Sequence, residues 1–464
     1  MSSRDRLFKS SIANSASLIV RIIQQLLLVT ILVTVWPAQL YGEWLVVSAI
    51  PIFLSLADFG FVLAGSNELS RRATSENKKS VVDFYSTYSV YFQRWSLLIA
   101  TLLAGFAFIL PIKEWMSLEV MSATEVSTVF LLLSLSALIS QNSLTLVAGL
   151  RSKGKTHYGL WIRVLLALLQ TALAFILVWV FKASPVSLAA GMLLLTLGGY
   201  WFEWLVLKRL GLCQIRKLYQ PLNNEISMKP YLFSGLEMML IPLAQAIILQ
   251  GSIILIAKAL DPIAVVIFAT HRTFARLGSS VVKVFANPLL SEAGLLQSYE
   301  DRPELTKIVT ILSRVTFWLA LLMVGGFILL GSWIYTLWTQ GNISFDKDLL
   351  LILLAGVVAE SLWQIVTVVR MGSNRHRPVA WGYLIFAVLG LIIAGLLVID
   401  YGILGVALGV TLIDIAMMIL AIWSLKGVVD ITIREFVWGL AKPPIKEINQ
   451  LLQKALKRGS NNAN

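Results

Sequence analysis

The sequence predicts an all-α polytopic membrane protein of about twelve transmembrane helices, divided into two halves of six. Three observations carry this reading. Hydrophobic residues make up 58% of the chain and charged residues 14%, and the mean hydropathy of +0.80 lies well above that of soluble domains. Apolar windows of about 20 residues, the length that crosses a hydrocarbon core, recur along the chain between short charged stretches. Lysine and arginine alternate between crowded and nearly empty loops, as the positive-inside rule requires of successive spans.

The first helix is expected over 11–35. The segment ahead of it has the basic start of a secretory signal, but Ser11 to Val35 is too long for one and carries Arg21, so it reads as a retained span. Five more helices follow over 43–65, 88–110, 126–149, 158–181 and 186–207, each bounded by charges or proline. The second half gives 231–257, 263–288, 308–335, 348–371, 379–399 and 403–425. A long basic connector, 211–230, divides an N-terminal lobe (1–210) from a C-terminal lobe (231–427). Sliding the second half on the first by 225 positions pairs Gln25 with Gln250, Pro37 with Pro262 and Ser66 with Ser291, although a few such matches also arise by chance. The remaining segment, 428–464, is a basic amphipathic tail whose composition suits either an anionic leaflet or solvent.

The charge alternation fixes an orientation. One side collects Arg4, Arg6 and Lys9, then Arg71, Arg72, Lys78 and Lys79, then Arg151, Lys153 and Lys155, the basic connector, Arg302 and Lys307, Arg370, Arg375 and Arg377, and the tail. The other side holds only Lys113, Lys182, Lys258 and Lys347. Both termini are therefore expected in the cytoplasm of a multi-pass protein of a bacterial inner membrane. The net charge of +13 sits in these loops as a topology signal and points to no nucleic-acid partner.

Catalysis is not expected. The single cysteine, Cys213, permits no intramolecular disulfide, and His157, His271 and His376 lack metal-ligand spacing, so neither a metal nor a cofactor is anticipated. There is no phosphate-binding Gly-Lys-Ser/Thr loop, no His-Glu-x-x-His and no nucleophile elbow.

The informative residues are charges inside the expected spans, each costing roughly 2.5 to 3.5 kcal/mol on insertion scales. They are Arg21, Asp58, Arg94 and Arg163 in the first half, and Glu237, Arg272, Arg276, Lys283, Arg314, Glu360 and Asp414 in the second. Interhelical ion pairs and a cavity for a charged substrate compete to explain them. Cations outnumber anions seven to four, and the surplus calls for an outside counterion, which an anionic substrate would supply. Arg21 shares a helix face with Gln24 and Gln25, while Arg272 and Arg276, one turn apart and followed by Ser279, Ser280 and Lys283, form a ladder of donors that repel unless an anion lies between them. The anion-site candidates are thus Arg21, Gln25, Arg94, Arg163, Arg272, Arg276 and Arg314. Asp58, Glu237, Glu360 and Asp414 are candidates for coupling to an ion gradient, with arginine pairing as their commoner fate. Pro51, Pro242 and Pro288 are expected to kink or hinge their helices.

Several short motifs stand out: Tyr41-Gly42-Glu43-Trp44, Ala57-Asp58-Phe59-Gly60, Asn67-Glu68-Leu69-Ser70-Arg71-Arg72, Asn287-Pro288-Leu289-Leu290-Ser291 and Tyr401-Gly402-Ile403-Leu404-Gly405-Val406-Ala407. Together they resemble the polysaccharide transporter family of the multidrug/oligosaccharidyl-lipid/polysaccharide (MOP) superfamily, which also includes MATE and MurJ, and especially its Wzx-type O-antigen flippases. The resemblance implies two lobes rocking around a central cavity. It also implies a flippase that moves undecaprenyl-pyrophosphate-linked oligosaccharide units of an O-antigen, capsule or exopolysaccharide from the cytoplasmic to the periplasmic leaflet, coupled to an ion gradient. The lipid-linked oligosaccharide and the bilayer would be its partners, along with a glycan polymerase and a chain-length regulator. Arg21 and Arg272 stand where lipid II flippases of the MurJ type place cavity arginines on the first and eighth helices. Those proteins carry two further helices, which favours a polysaccharide unit here over lipid II. A MATE-like multidrug antiporter, whose cavity would favour acidic lining, and a membrane glycan polymerase or ligase, which needs a large outer loop, are the alternatives.

Overall fold

The computed structural model describes residues 3–56, 58, 60–73, 78–211, 228–298, 302–372, 375–426 and 429–444, and among them there is no strand. Among the described residues there are fourteen α-helices: α1 (Ser3–Val35), α2 (Ala38–Phe53), α3 (Phe61–Ala73), α4 (Lys78–Ile109), α5 (Ile112–Trp115), α6 (Ala123–Ser152), α7 (Thr156–Ala174), α8 (Pro185–Arg209), α9 (Lys229–Ala259), α10 (Pro262–Ser298), α11 (Arg302–Thr339), α12 (Lys347–Gly372), α13 (Arg377–Ser424) and α14 (Ile433–Leu440). Most of the expected connector, from 212 to 227, lies outside the described residues, as does the tail beyond 444.

Among the described residues ten helical segments are long and apolar enough to cross a membrane. One of them, α13, is two helical lengths merged across Gly402, whose φ of 56° and ψ of −135° break the helix between the expected spans 379–399 and 403–425. α10 has the length of a span, but His271, Arg272 and Arg276 interrupt its apolar run. Side chains facing outward along α4, such as Leu97, Leu102, Phe106 and Ile109, are exposed and apolar, as a lipid solvent demands.

Local chemistry explains where helices begin. Ser122 and Glu125 form a reciprocal capping box at the start of α6, Ser184 caps α8 with Pro185 at its first position, and Thr432 with Glu435 repeats the box at α14. The span expected as one helix over 43–65 is instead broken: α2 carries Pro51, passes through a single 3-10 turn at Leu54–Leu56, and restarts as α3 after Gly60 at φ +73°. Proline removes a backbone donor and glycine admits the left-handed conformation, so the break is written locally.

The chain packs as two compact units, Met1–Thr270 with Thr336–Ser344, and His271–Tyr335 with Phe345–Asn464. In the first, α6 packs on α8, α1 on α7, and α2 and α3 on α9. Its aromatic core gathers Phe61, Phe84, Tyr88 and Phe92, with the Tyr88 hydroxyl donating to the Val62 carbonyl at 3.1 Å. In the second, α12 lies along α13, Trp363 stacks near Tyr383 at 5.0 Å, and the two halves of α13 approach closely through Gly390 against Ile413 and Gly409 against Ala394.

Candidate functional site

Four helices of the first unit, α1, α6, α7 and α8, enclose a cavity of about 320 Å³, within the size range of small-ligand sites. Its polar wall contains Ser17, Arg21, Gln24, Gln141, Ser143, Arg163, Gln170, Thr196, Tyr200 and Glu203. These residues lie up to 186 positions apart and meet only because each helix turns its small or polar stripe inward.

Arg163 lies within Coulombic range of both Arg21 and the Glu203 carboxylate. Arg21 Nε donates to the Ser17 carbonyl at 3.2 Å, and the Ser143 hydroxyl donates to Glu203. A relay of amides and hydroxyls spans the wall: Gln24 Nε2 donates to Gln170 Oε1 at 3.3 Å, Gln170 Nε2 approaches Thr196 Oγ1 at 3.5 Å, and Thr196 pairs with Ser136 at 3.0 Å. Two guanidiniums facing one carboxylate leave the pocket with a net positive charge. Chemically it can receive an anionic or hydroxyl-rich group and hold it by charge-assisted hydrogen bonds.

A second cavity of about 470 Å³ in the same unit is bordered by Asp58, Ser66, Gln141, Arg151, Thr156 and Pro242, among others, and Gln141 lines both spaces. Asp58 also has a structural task here: its Oδ2 accepts from the Val62 N–H at 3.1 Å, capping α3 where the broken span restarts.

The sequence-predicted residues therefore divide. Arg21 and Arg163 share the first cavity, and Asp58 borders the second. Gln25 lies on the exposed side of α1, Arg94 is half-buried on α4, and Glu237 is half-buried on α9; none of the three is among the residues lining these cavities. In the second unit, Arg272 and Arg276 lie within Coulombic range of each other on α10, and Ser279, one turn further, donates to Glu360 of α12. The ladder is thus joined by a carboxylate, while the Lys283 side chain lies outside the described residues. Asp414 accepts from the Trp363 indole at 3.1 Å. The Arg314 guanidinium approaches Gly439 near the C-terminal end of α14, where Trp318 donates to the Leu440 carbonyl at 2.9 Å.

Glu203 was not singled out in the sequence, and Glu43 was named only within a motif and not among the intramembrane charges. Glu203 carries a legible signal, a carboxylate among Trp201, Phe202 and Trp204 inside an apolar run. Glu43 is fully buried and accepts from the backbone N–H groups of Glu119, Val120 and Met121 at 2.6 to 2.7 Å. That clamp satisfies the carboxylate with backbone donors but leaves its charge in place, so Glu43 and Glu203 together narrow the cation surplus counted from the sequence.

The sequence matches no family model and no curated protein. Solved structures do resemble it. An inward-facing multidrug resistance MATE family transporter of the MOP superfamily matches with a TM-score of 0.72 at 17% identity, covering 94% of this chain and 96% of that one. The lipid II flippase MurJ, in an inward closed conformation, matches with a TM-score of 0.69 at 13% identity over 93% and 90% of the two chains. An outward-facing MATE transporter gives 0.62 at 17% identity over 98% and 96%. At such identities the likeness establishes the fold: an all-α, multi-pass membrane architecture of the MATE and MurJ type.

Proposed function

We propose that the protein is a flippase that moves an undecaprenyl-pyrophosphate-linked oligosaccharide across a bacterial inner membrane by alternating access. The observation that carries this reading is the first-unit cavity, where Arg21 and Arg163 meet a single carboxylate, Glu203, among amide and hydroxyl groups. A guanidinium pair can bind a diphosphate or an acidic sugar through parallel N–H donors, and the surrounding Gln, Ser, Thr and Tyr groups suit a glycan. The cavity is too small for a whole repeat unit, so it would hold the charged part while the lipid tail stays in the bilayer. The fold shared with a lipid II flippase supports the same reading. Cytoplasmic termini, coupling to an ion gradient, and delivery to a glycan polymerase and chain-length regulator belong to the proposal.

The fold shared with MATE transporters supports a second reading, a multidrug antiporter, for which Glu203 would be the cation-attracting group. Deleting the protein and resolving lipid-linked oligosaccharides by leaflet separates the two. Loss of surface polysaccharide with single units trapped on the cytoplasmic leaflet is the expected result. Units trapped on the periplasmic side would assign the protein to polymerisation or ligation, and unchanged glycans with altered drug susceptibility would favour the antiporter.

A further inference from the structure

The chain passes between its two compact units three times, after Thr270, after Tyr335 and after Ser344. On the second unit's side of these passages stand His271, Tyr335 and Phe345. Their rings form one cluster, with centroids 4.4 Å apart for His271 and Tyr335, 5.6 Å for His271 and Phe345, and 5.5 Å for Tyr335 and Phe345. His271 and Tyr335 expose no surface.

The hydrogen bonds dictate the protonation of the imidazole. The Asp346 backbone N–H can only donate, and it donates to His271 Nε2 at 2.9 Å, so Nε2 presents a lone pair. The ring proton is therefore on Nδ1, which donates to the Tyr335 hydroxyl oxygen at 3.1 Å. Asp346 in turn caps α12, its Oδ1 accepting from the Leu349 N–H at 3.0 Å. One neutral imidazole thus ties the end of α11 and the start of α12 to α10.

We propose that His271 is a proton-released latch on the start of α12 within the second unit. While neutral it joins Tyr335 at the end of α11 to the Asp346 backbone. A second proton on Nε2 points at the Asp346 N–H, breaks that bond, and loosens the first turn of α12. The titratable and charged groups nearest to it on these elements are Tyr335 at the end of α11, Asp346, Lys347 and Asp348 at the start of α12, and Arg272 and Arg276 on α10 itself; residues 336–345 contribute none. The latch concerns the start of α12 and not the cargo, so it is tested independently of the flippase reading.

The test is amide hydrogen exchange across residues 345–349 of the full chain in lipid nanodiscs, corrected for intrinsic exchange, from about pH 8 down to about pH 5. Protection in the wild type is expected to fall about tenfold or more on acidification, the loss of roughly one buried hydrogen bond. His271→Gln, whose Oε1 still accepts from the Asp346 N–H but cannot take up a proton, should stay protected throughout. His271→Phe, which keeps the ring packing without an acceptor, should be poorly protected at every pH. Wild-type protection that does not change with pH overturns the latch, and so does a pH step that survives in His271→Gln. These two outcomes suffice even if the Phe variant does not fold.

Discussion

Two parts of the first unit handle charge in opposite ways. At the short motifs singled out in the sequence, charges are satisfied locally: Glu43 by three backbone amides, Asp58 by the N-terminus of α3, and Glu68 by Arg71 at 2.8 Å and Arg72 at 2.7 Å. Around the cavity, Arg21, Arg163 and Glu203 are brought together from three helices and border open space. The first arrangement builds turns and helix ends; the second presents charge to a ligand.

Substitutions can break or sharpen that contrast. The largest effect is expected for Glu43→Ala, which strips the charged acceptor from three backbone donors and should destabilise the protein by about 3–5 kcal/mol, read as lost membrane abundance and a lower Tm. Normal abundance with lost transport would move Glu43 to the functional side. Next comes Gly42→Ala: an added Cβ would stand 2.1 Å from the Pro262 carbonyl oxygen, a backbone atom that cannot turn aside. Overpacking of this kind costs about 1–3 kcal/mol, again visible in the Tm.

Arg163→Ala is expected to behave in the reverse manner, with abundance unchanged and flipping reduced about tenfold or more, equivalent to about 1.4 kcal/mol of binding. Arg163→Lys should recover only part of it, because an ammonium lacks the planar fork of a guanidinium. A stability loss in Arg163→Ala with no transport defect would return the cavity to a structural role.

The smallest effect concerns α14. The Thr432 backbone N–H and hydroxyl donate to Glu435, holding its carboxyl below the usual carboxylate range. A depressed pKa contributes stability that is present above the ordinary carboxylate value and lost as pH falls through the depressed one. Acid should therefore loosen α14, followed by the fluorescence of the exposed Trp438, and Glu435→Gln should flatten that dependence.

Legibility in the sequence followed the range of the physics. The spans were readable because hydrophobic length is a property of consecutive residues; the Ser122-x-x-Glu125 box, a local pattern too, was not singled out and came from the structure. The break at 54–60 had its signs in Pro51 and Gly60, yet hydropathy alone runs through it. Arg21 was visible as a cation in an apolar run, but its lower neighbours on the helix were not distinguishable: Gln24 lines the cavity and Gln25 does not. The Glu203 carboxylate was legible among Trp201, Phe202 and Trp204, but its approach to Arg163 was not, because that pairing joins two helices.

The sequence by itself thus determined a multi-pass, all-helical membrane protein rich in intramembrane cations, since the bilayer imposes length and charge rules on each segment separately. Tertiary structure alone decided that Arg21 and Arg163 meet Glu203, that Glu360 reaches Ser279 of the α10 ladder, and that His271, Tyr335 and Phe345 gather at the chain's three passages. Those pairings depend on how each helix is rotated about its own axis, and rotation is set by packing against neighbours distant in the chain.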